Sequence, residues 1–233
     1  MILKLIELNY PLDEAVCYLS DAEFQAIVNV IMKLKELCES KGIKFTILEP
    51  KQSFEYTMTE RPVKKRNGDI QNGYKWCGGQ ARWGTTLKLD AIAEHNKKYG
   101  NEAIVEYVGV AADERHRINR ERCGSRVKIY PLVEWGMTER DCLEYCYSKG
   151  WHWEENGMEL YDILDRVSCK YCQNKNLDEL RNIYHFLPNL WQELKELQDK
   201  VKMPYKNGKT IQDIEMRFIT EDAQMSIDDF LKE

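Results

Sequence analysis

The chain has 233 residues, 43% of them hydrophobic and 31% charged, with a formal net charge of −5. This is globular composition, which excludes a disordered or membrane-embedded chain and argues against a generic nucleic-acid coat, though not against a local basic face. No apolar run approaches the roughly 20 residues that span a bilayer, and the opening MILKLIEL has neither a basic n-region nor a small-residue cleavage site, so a cytoplasmic protein without a membrane partner is expected.

In chain order, MILKLIELNYP reads as a helix ended at Asn9-Tyr10-Pro11. Glu14 to Leu19 has the length and bounds of a buried strand. Asp21 is placed to cap a long helix with Phe24, Ile27, Val28, Ile31, Leu34 and Cys38 at helical spacing and Gly42 as its stop, and Lys44 to Leu48 is a second strand. Strand, helix and strand at these spacings form a crossover unit, hence a parallel sheet. Glu49 to Tyr74 is a long polar loop marked by Pro50, Pro62, Asn67-Gly68 and Asn72-Gly73.

Lys75 to Ile92, KWCGGQARWGTTLKLDAI, packs Trp76, Cys77, Gly78 and Gly79 into a tight turn that runs into a helix. Glycines let a backbone come close to something bound, and Thr85 or Thr86 can cap a helix carrying Leu89, Ile92 and Ala93 on one side. A helix N-terminus flanked by Arg82 and Lys88 is a candidate anion site; a buried aromatic turn with a solvated arginine is the other reading. Ala103 to Val110 is the strongest strand, and it delivers Asp113 and Glu114 where open α/β sheets keep their ligands. Val127 to Leu132 is a further strand, and Thr138 with Asp141 opens the helix Glu139 to Lys149. After Trp151 the alternation stops: Gly157 to Arg166 is a helix or turn, Leu177 to Phe186 and Leu190 to Val201 are helices around Pro188, and Thr210 and Ser226 start two more. The expected organisation is an α/β core over residues 1–150 and a cysteine-pair segment with a helical tail over 151–233.

Eight cysteines without an export signal should be reduced thiols. Cys17, Cys38, Cys142 and Cys146 sit in apolar or helical patterns and pack as small hydrophobes. Cys169-x-x-Cys172 has a spacing that lets two thiolates reach one zinc ion or cluster iron, with Cys77 and Cys123 needed to complete a site. Chance spacing is the alternative, and a redox-active dithiol is a third reading, although the context lacks the strand-turn-helix of a thioredoxin-like motif. In GVAADERHR, Gly109 to Arg117, Asp113 and Glu114 can hold a ribose or a divalent ion and Arg117 a phosphate or sulfate. The same residues also suit a helix start, with acids in the first turn and bases further along. Two basic clusters, Lys64-Lys65-Arg66 and Arg115 to Lys128, are solvated faces or a surface for nucleic acid or a protein partner. The histidines, His95, His116, His152 and His185, are too scattered to make a ligand pair.

The order of AEF (Ala22 to Phe24), WC (Trp76-Cys77) with LK (Leu87-Lys88), GVAADERHR, YPLVEW (Tyr130 to Trp135) and CKYC (Cys169 to Cys172) resembles the phosphoadenosine phosphosulfate (PAPS) reductase family, within the adenine-nucleotide alpha-hydrolase-like proteins. The resemblance covers about residues 1–172. It implies a Rossmann-like parallel sheet binding an adenine nucleotide at the C-terminal strand ends, and sulfonucleotide reduction or ATP-dependent sulfur transfer. It also implies anion contacts from Arg82, Lys88 and Arg117, a nucleotide site lined by Glu23, Trp76, Asp113 and Glu114, and an iron–sulfur cluster or zinc on Cys77, Cys169 and Cys172, with Cys123 as the fourth ligand. The chain departs from the family's pattern in four places: Leu19 stands where an acidic residue often ends the second strand, no second cysteine lies near Gln80-Ala81, and two further departures bear on catalysis. The Ser-Gly-Gly-x-Asp-Ser type phosphate loop and its strand should precede the first helix, in which Met1 already lies, and no cysteine follows Cys172 to match the reductases' C-terminal catalytic one. The expectation is therefore a nucleotide-binding protein with impaired catalysis, alone or as a homo-oligomer. The alternative is a non-enzymatic metal-containing module that binds a protein or nucleic acid.

Overall fold

A computed structural model describes residues 1–79, 81–100, 104–120 and 127–230. The protein is mixed α/β. The first helix, α1 (Ile2–Glu7), ends where Asn9 takes a left-handed φ of 53°. Strand β1 (Glu14–Tyr18), helix α2 (Gln25–Ser40) and strand β2 (Lys44–Leu48) follow as the sequence pattern requires. β1 and β2 pair, with Lys44 N donating to Asp13 O at one end and Leu19 N to Leu48 O at the other, so the two strands run in the same direction.

The stretch from Glu49 to Tyr74 is not a plain loop. It holds helix α3 (Phe54–Thr59) and a hairpin of β3 (Pro62–Lys64) with β4 (Ile70–Asn72), turned at Asn67-Gly68. Asp21 does not cap α2. Its carboxylate accepts from Phe54 N at 2.9 and 3.0 Å, at the start of α3, while the Ala26 N–H of α2 donates to Glu155 at 2.7 Å. Helix α4 (Trp83–Asn96) starts before Thr85 and Thr86, and Thr86 Oγ1 bonds back to Arg82 O within the helix. Leu89, expected on one side of this helix with Ile92 and Ala93, is 60% exposed.

Strand β5 (Val105–Tyr107) is shorter than expected and pairs in parallel with β6 (Val127–Ile129), Tyr107 opposite Ile129. The segment expected to continue as strand to Leu132 instead turns into helix α5 (Pro131–Glu134), because Pro131 occupies the first helical position and has no N–H for a ladder. Helix α6 (Glu139–Ser148) carries the expected Thr138/Asp141 capping box. A two-residue hairpin, β7 (Glu154–Glu155) with β8 (Met158–Glu159), leads into α7 (Leu160–Ile163), then α8 (Leu177–Phe186) and α9 (Pro188–Val201). The last helix, α10 (Ile211–Phe230), is continuous through Ser226, where a separate helix start was expected.

Two compact units interleave in sequence: residues 1–17, 29–47 and 92–153 in one, and 18–28, 48–91 and 154–233 in the other. The first unit buries Ala15, Cys38 and Ile43 with Ile2, Ile6, Leu12, Leu34 and Phe45 around them. The second is centred on the apolar faces of α8 to α10, where Leu180, Ile183, Leu194, Ile211 and Phe218 are almost fully buried and Trp191 packs 5.9 Å from Phe218. No described helix is long and apolar enough to cross a membrane.

Candidate functional site

In the second unit, two connectors meet. The Gln173 N–H donates to Cys77 O at 3.0 Å and the Gly79 N–H to Asn174 Oδ1 at 2.6 Å, which lays the WCGG turn against the chain just after Cys172. Gly78 sits at φ 147°, and a Cβ there would lie 2.8 Å from Gln173 Cβ, so the glycine is needed for this close approach. What comes near Gly78 is Gln173 and Asn174 of the protein itself. Trp76 is buried, donating its indole N–H to Met203 O at 2.9 Å and meeting the Tyr205 ring edge-on at 4.8 Å. Arg82 is exposed, with Nε donating to Gly79 O.

Cys169 and Cys172 are the ends of one turn, closed by a hydrogen bond from Cys172 N to Cys169 O at 3.2 Å. The Cys169 thiol donates to Cys172, and the Asn174 N–H and Ser168 side chain also hydrogen-bond Cys172, with the Lys175 ammonium nearby. Together these hold the Cys172 thiol below its ordinary value against the opposing effect of burial, while the same hydrogen bond and burial push Cys169 up. Lys175 is 2% exposed; its Nζ donates to Ser168 Oγ at 3.0 Å and lies 5.6 Å from the Phe24 ring centroid. Burial lowers the Lys175 pKa, and negative charge on Cys172, Cys169, Glu179 and Glu23 opposes that shift. Burial raises Glu23, opposed by Lys88, Ser20 and Lys175. Burial also raises Cys77, which feels Cys172 and receives the Gly84 N–H.

Glu23, Cys77, Lys88, Cys169 and Cys172 thus share one electrostatic neighbourhood, with Lys175, Ser168 and Asn174 as members the sequence did not single out. The spacing Cys172-x-x-Lys175 was legible; that the lysine turns inward was not, because lysine is seldom buried. Among the described residues, no group of three His, Cys, Asp or Glu side chains is placed to hold a metal ion. Cys123 lies outside the described residues. The described donors are the adjacent pair Cys169 and Cys172, with Cys77 in the same electrostatic neighbourhood.

The GVAADERHR residues belong to the first unit. A 3-10 helix, Ala112–Arg120, follows β5, and its three-residue turn stacks side chains at i and i+3. One row pairs Glu114 with Arg117 in an ion pair. Another places Arg115 and Ile118 together, and these two with His116, Tyr130, Val133 and Glu134 line a cavity of about 490 Å³. Asp113, before these rows, accepts from Glu139 N at 3.2 and 3.4 Å, at the first residue of α6. The predicted residues Asp113, Glu114 and Arg117 are therefore engaged within the protein, while Arg115 and His116 face the open space.

The cavity lies past the C-terminal ends of a parallel pair. Its lining comes from the 3-10 helix after β5 and from Tyr130 and α5 after β6. Its volume is in the range of small-molecule sites. Compared with protein families, with curated proteins and with solved structures, the chain matches none.

Proposed function

We propose that the cavity at the ends of β5 and β6 binds an anionic small molecule with a planar apolar part, and that its ligand is an adenine nucleotide or a sulfonucleotide. The observation that carries this reading is the cavity's position and lining. Ligands of open α/β sheets sit beyond the carboxyl ends of parallel strands, and here that place offers two side chains able to carry positive charge, Arg115 and His116, beside Tyr130, Ile118 and Val133. A guanidinium matches phosphate or sulfate oxygens in a two-point fork, and the aromatic and branched side chains suit a base. Glu134 on the rim can accept from a ribose hydroxyl or an exocyclic amine. The motif order resembling the PAPS reductase family agrees with this ligand class, and a Rossmann-like parallel sheet is part of the same proposal. In this reading the chain is a binding protein, with no bond-making step assigned to its residues.

Calorimetric titration with ATP, AMP and the phosphosulfate tests the reading. At least one should bind, and Arg115→Ala should weaken it about 10- to 100-fold, the loss expected for one charge-assisted contact of about 1.5–3 kcal/mol. No heat from any of the three, with circular dichroism showing a folded protein, would refute the proposal.

A further inference from the structure

The β3–β4 hairpin, in the second unit, carries the first of the two basic clusters, to which nucleotide binding in the cavity gives no role. We propose that this hairpin is an arm that binds duplex DNA, entering the major groove with Lys64, Lys65 and Arg66 against the phosphate backbone.

The arm projects from its unit. All seven residues from Lys64 to Ile70 are exposed, and among them Ile70 is left 72% exposed. Residues 61–75 hold five Lys and Arg against one acid, Asp69, whose carboxylate already accepts from the Asn67 amide at 2.7 Å. Exposed cations elsewhere in the unit are paired, as Lys200 is with Glu55 and Arg217 with Glu221. Among the described residues, no ion pair neutralises Lys64, Lys65 or Arg66. Like charges gathered at one tip repel one another, and a polyanion relieves that repulsion.

The arm is also held stiff. The Gly73 N–H donates to Arg61 O at 2.7 Å, the Tyr74 and Lys75 N–H groups donate to Thr57 O and Met58 O of α3, and Gly68 N closes the turn onto Lys65 O at 3.0 Å. A Cβ on Gly73 would lie 2.0 Å from Met58 O, so the root of the arm is pressed against α3. An arm fixed in this way loses little freedom on binding.

Shape selects the partner. The strands have three residues each and so rise about 10 Å, close to the depth of about 8.5 Å of the B-form major groove, which admits a two-stranded ribbon. The register sets Lys64 opposite Ile70 on one face of the ribbon, and strand alternation turns Lys65 to the other. The two lysines therefore address the two backbones that wall the groove, with Arg66 at the tip. Duplex RNA presents a deep, narrow major groove that side chains do not read. Single strands bind by stacking on free aromatic rings, and Tyr74, after β4, is already stacked on Trp83 at 5.8 Å and covered by the Arg61 guanidinium at 5.6 Å. Pro62 and the lysines blunt the edge of β3 against an added peptide strand.

Fluorescence anisotropy of the purified full chain tests the arm, with a labelled DNA duplex of about two helical turns, the same sequence as a single strand and as an RNA duplex, and phosphatidylserine vesicles. The DNA duplex should bind most tightly. Three phosphate contacts predict a slope of log affinity against log salt of about −2.7, a loss of about 40-fold between about 50 and 200 mM salt. Lys64→Ala, Lys65→Ala and Arg66→Ala together should flatten the slope by that amount, whereas Lys64→Arg, Lys65→Arg and Arg66→Lys together should keep it. Methyl green, which occupies the major groove, should compete with the protein, and the minor-groove ligand netropsin should not. No binding at low salt by a protein that circular dichroism shows folded would overturn the proposal. So would an unchanged slope in the alanine variant, tighter binding to the vesicles, the RNA duplex or the single strand, or competition from netropsin in place of methyl green. The preference of the unmutated protein among the probes decides the matter even where the alanine variant does not fold.

Discussion

Glu14 gathers five side-chain partners in the first unit. It accepts from Thr46 at 2.5 Å, from Tyr99 and from Lys98 at 3.1 Å, and lies 3.3 Å from His95 Nε2 and 3.2 Å from Lys44. Burial pushes its carboxyl up, but the hydrogen bonds from Thr46, Tyr99, Lys98 and His95 outweigh burial and hold it well below the ordinary 4.5. A carboxyl depressed in the folded state stabilises the fold above its unfolded pKa and loses that contribution as pH falls through the folded one. The Glu14→Gln variant should therefore be less stable at neutral pH, by about 2 kcal/mol for lost charged hydrogen bonds. Its melting temperature should also fall less between about pH 5 and pH 3 than that of the unmutated protein; parallel acid limbs would contradict this. Gly78 makes a second residue-scale prediction. Alanine there meets both a positive φ and a contact at 2.8 Å, so Gly78→Ala should cost about 1–3 kcal/mol in denaturant unfolding. Gly79→Ala, where nothing lies within 4 Å, should cost less.

Helix ends show where local sequence was sufficient and where it was not. The α6 box of Thr138 and Asp141 was readable because cap and helix are neighbours in sequence, and α10 repeats the pattern with Thr210 and Asp213. The start of α2 was misread because its Ala26 N–H is served by Glu155, 129 residues away, while Asp21 meets the start of α3. No local pattern signals a partner at that distance. Replacing Glu155 with alanine should cost about 1 kcal/mol, the usual value of a cap, and should raise amide exchange at Ala26, which deuterium-exchange mass spectrometry can measure. Unchanged exchange in that peptide would contradict the assignment.

Across the molecule, the alternation of strand and helix to Lys149 and the helical remainder were legible from hydrophobic period and turn residues. The division into two interleaved units was not, since no composition shift or linker marks it. Of the candidate sites, the sequence singled out the stretch that borders the cavity and the cysteine pair. It named Arg117 where Arg115 and His116 face the cavity, and it passed over Lys175 beside the cysteine pair. The central claim is that the cavity past β5 and β6 is a nucleotide site, and its salt dependence and its arginine should agree. Calorimetry of the unmutated protein and Arg115→Ala, each titrated with ATP, AMP and the phosphosulfate at low and moderate salt, tests it most directly. The account predicts binding that weakens with salt and falls about 10- to 100-fold in the variant. Equal affinity in the two proteins, or no binding to a folded protein, would contradict it.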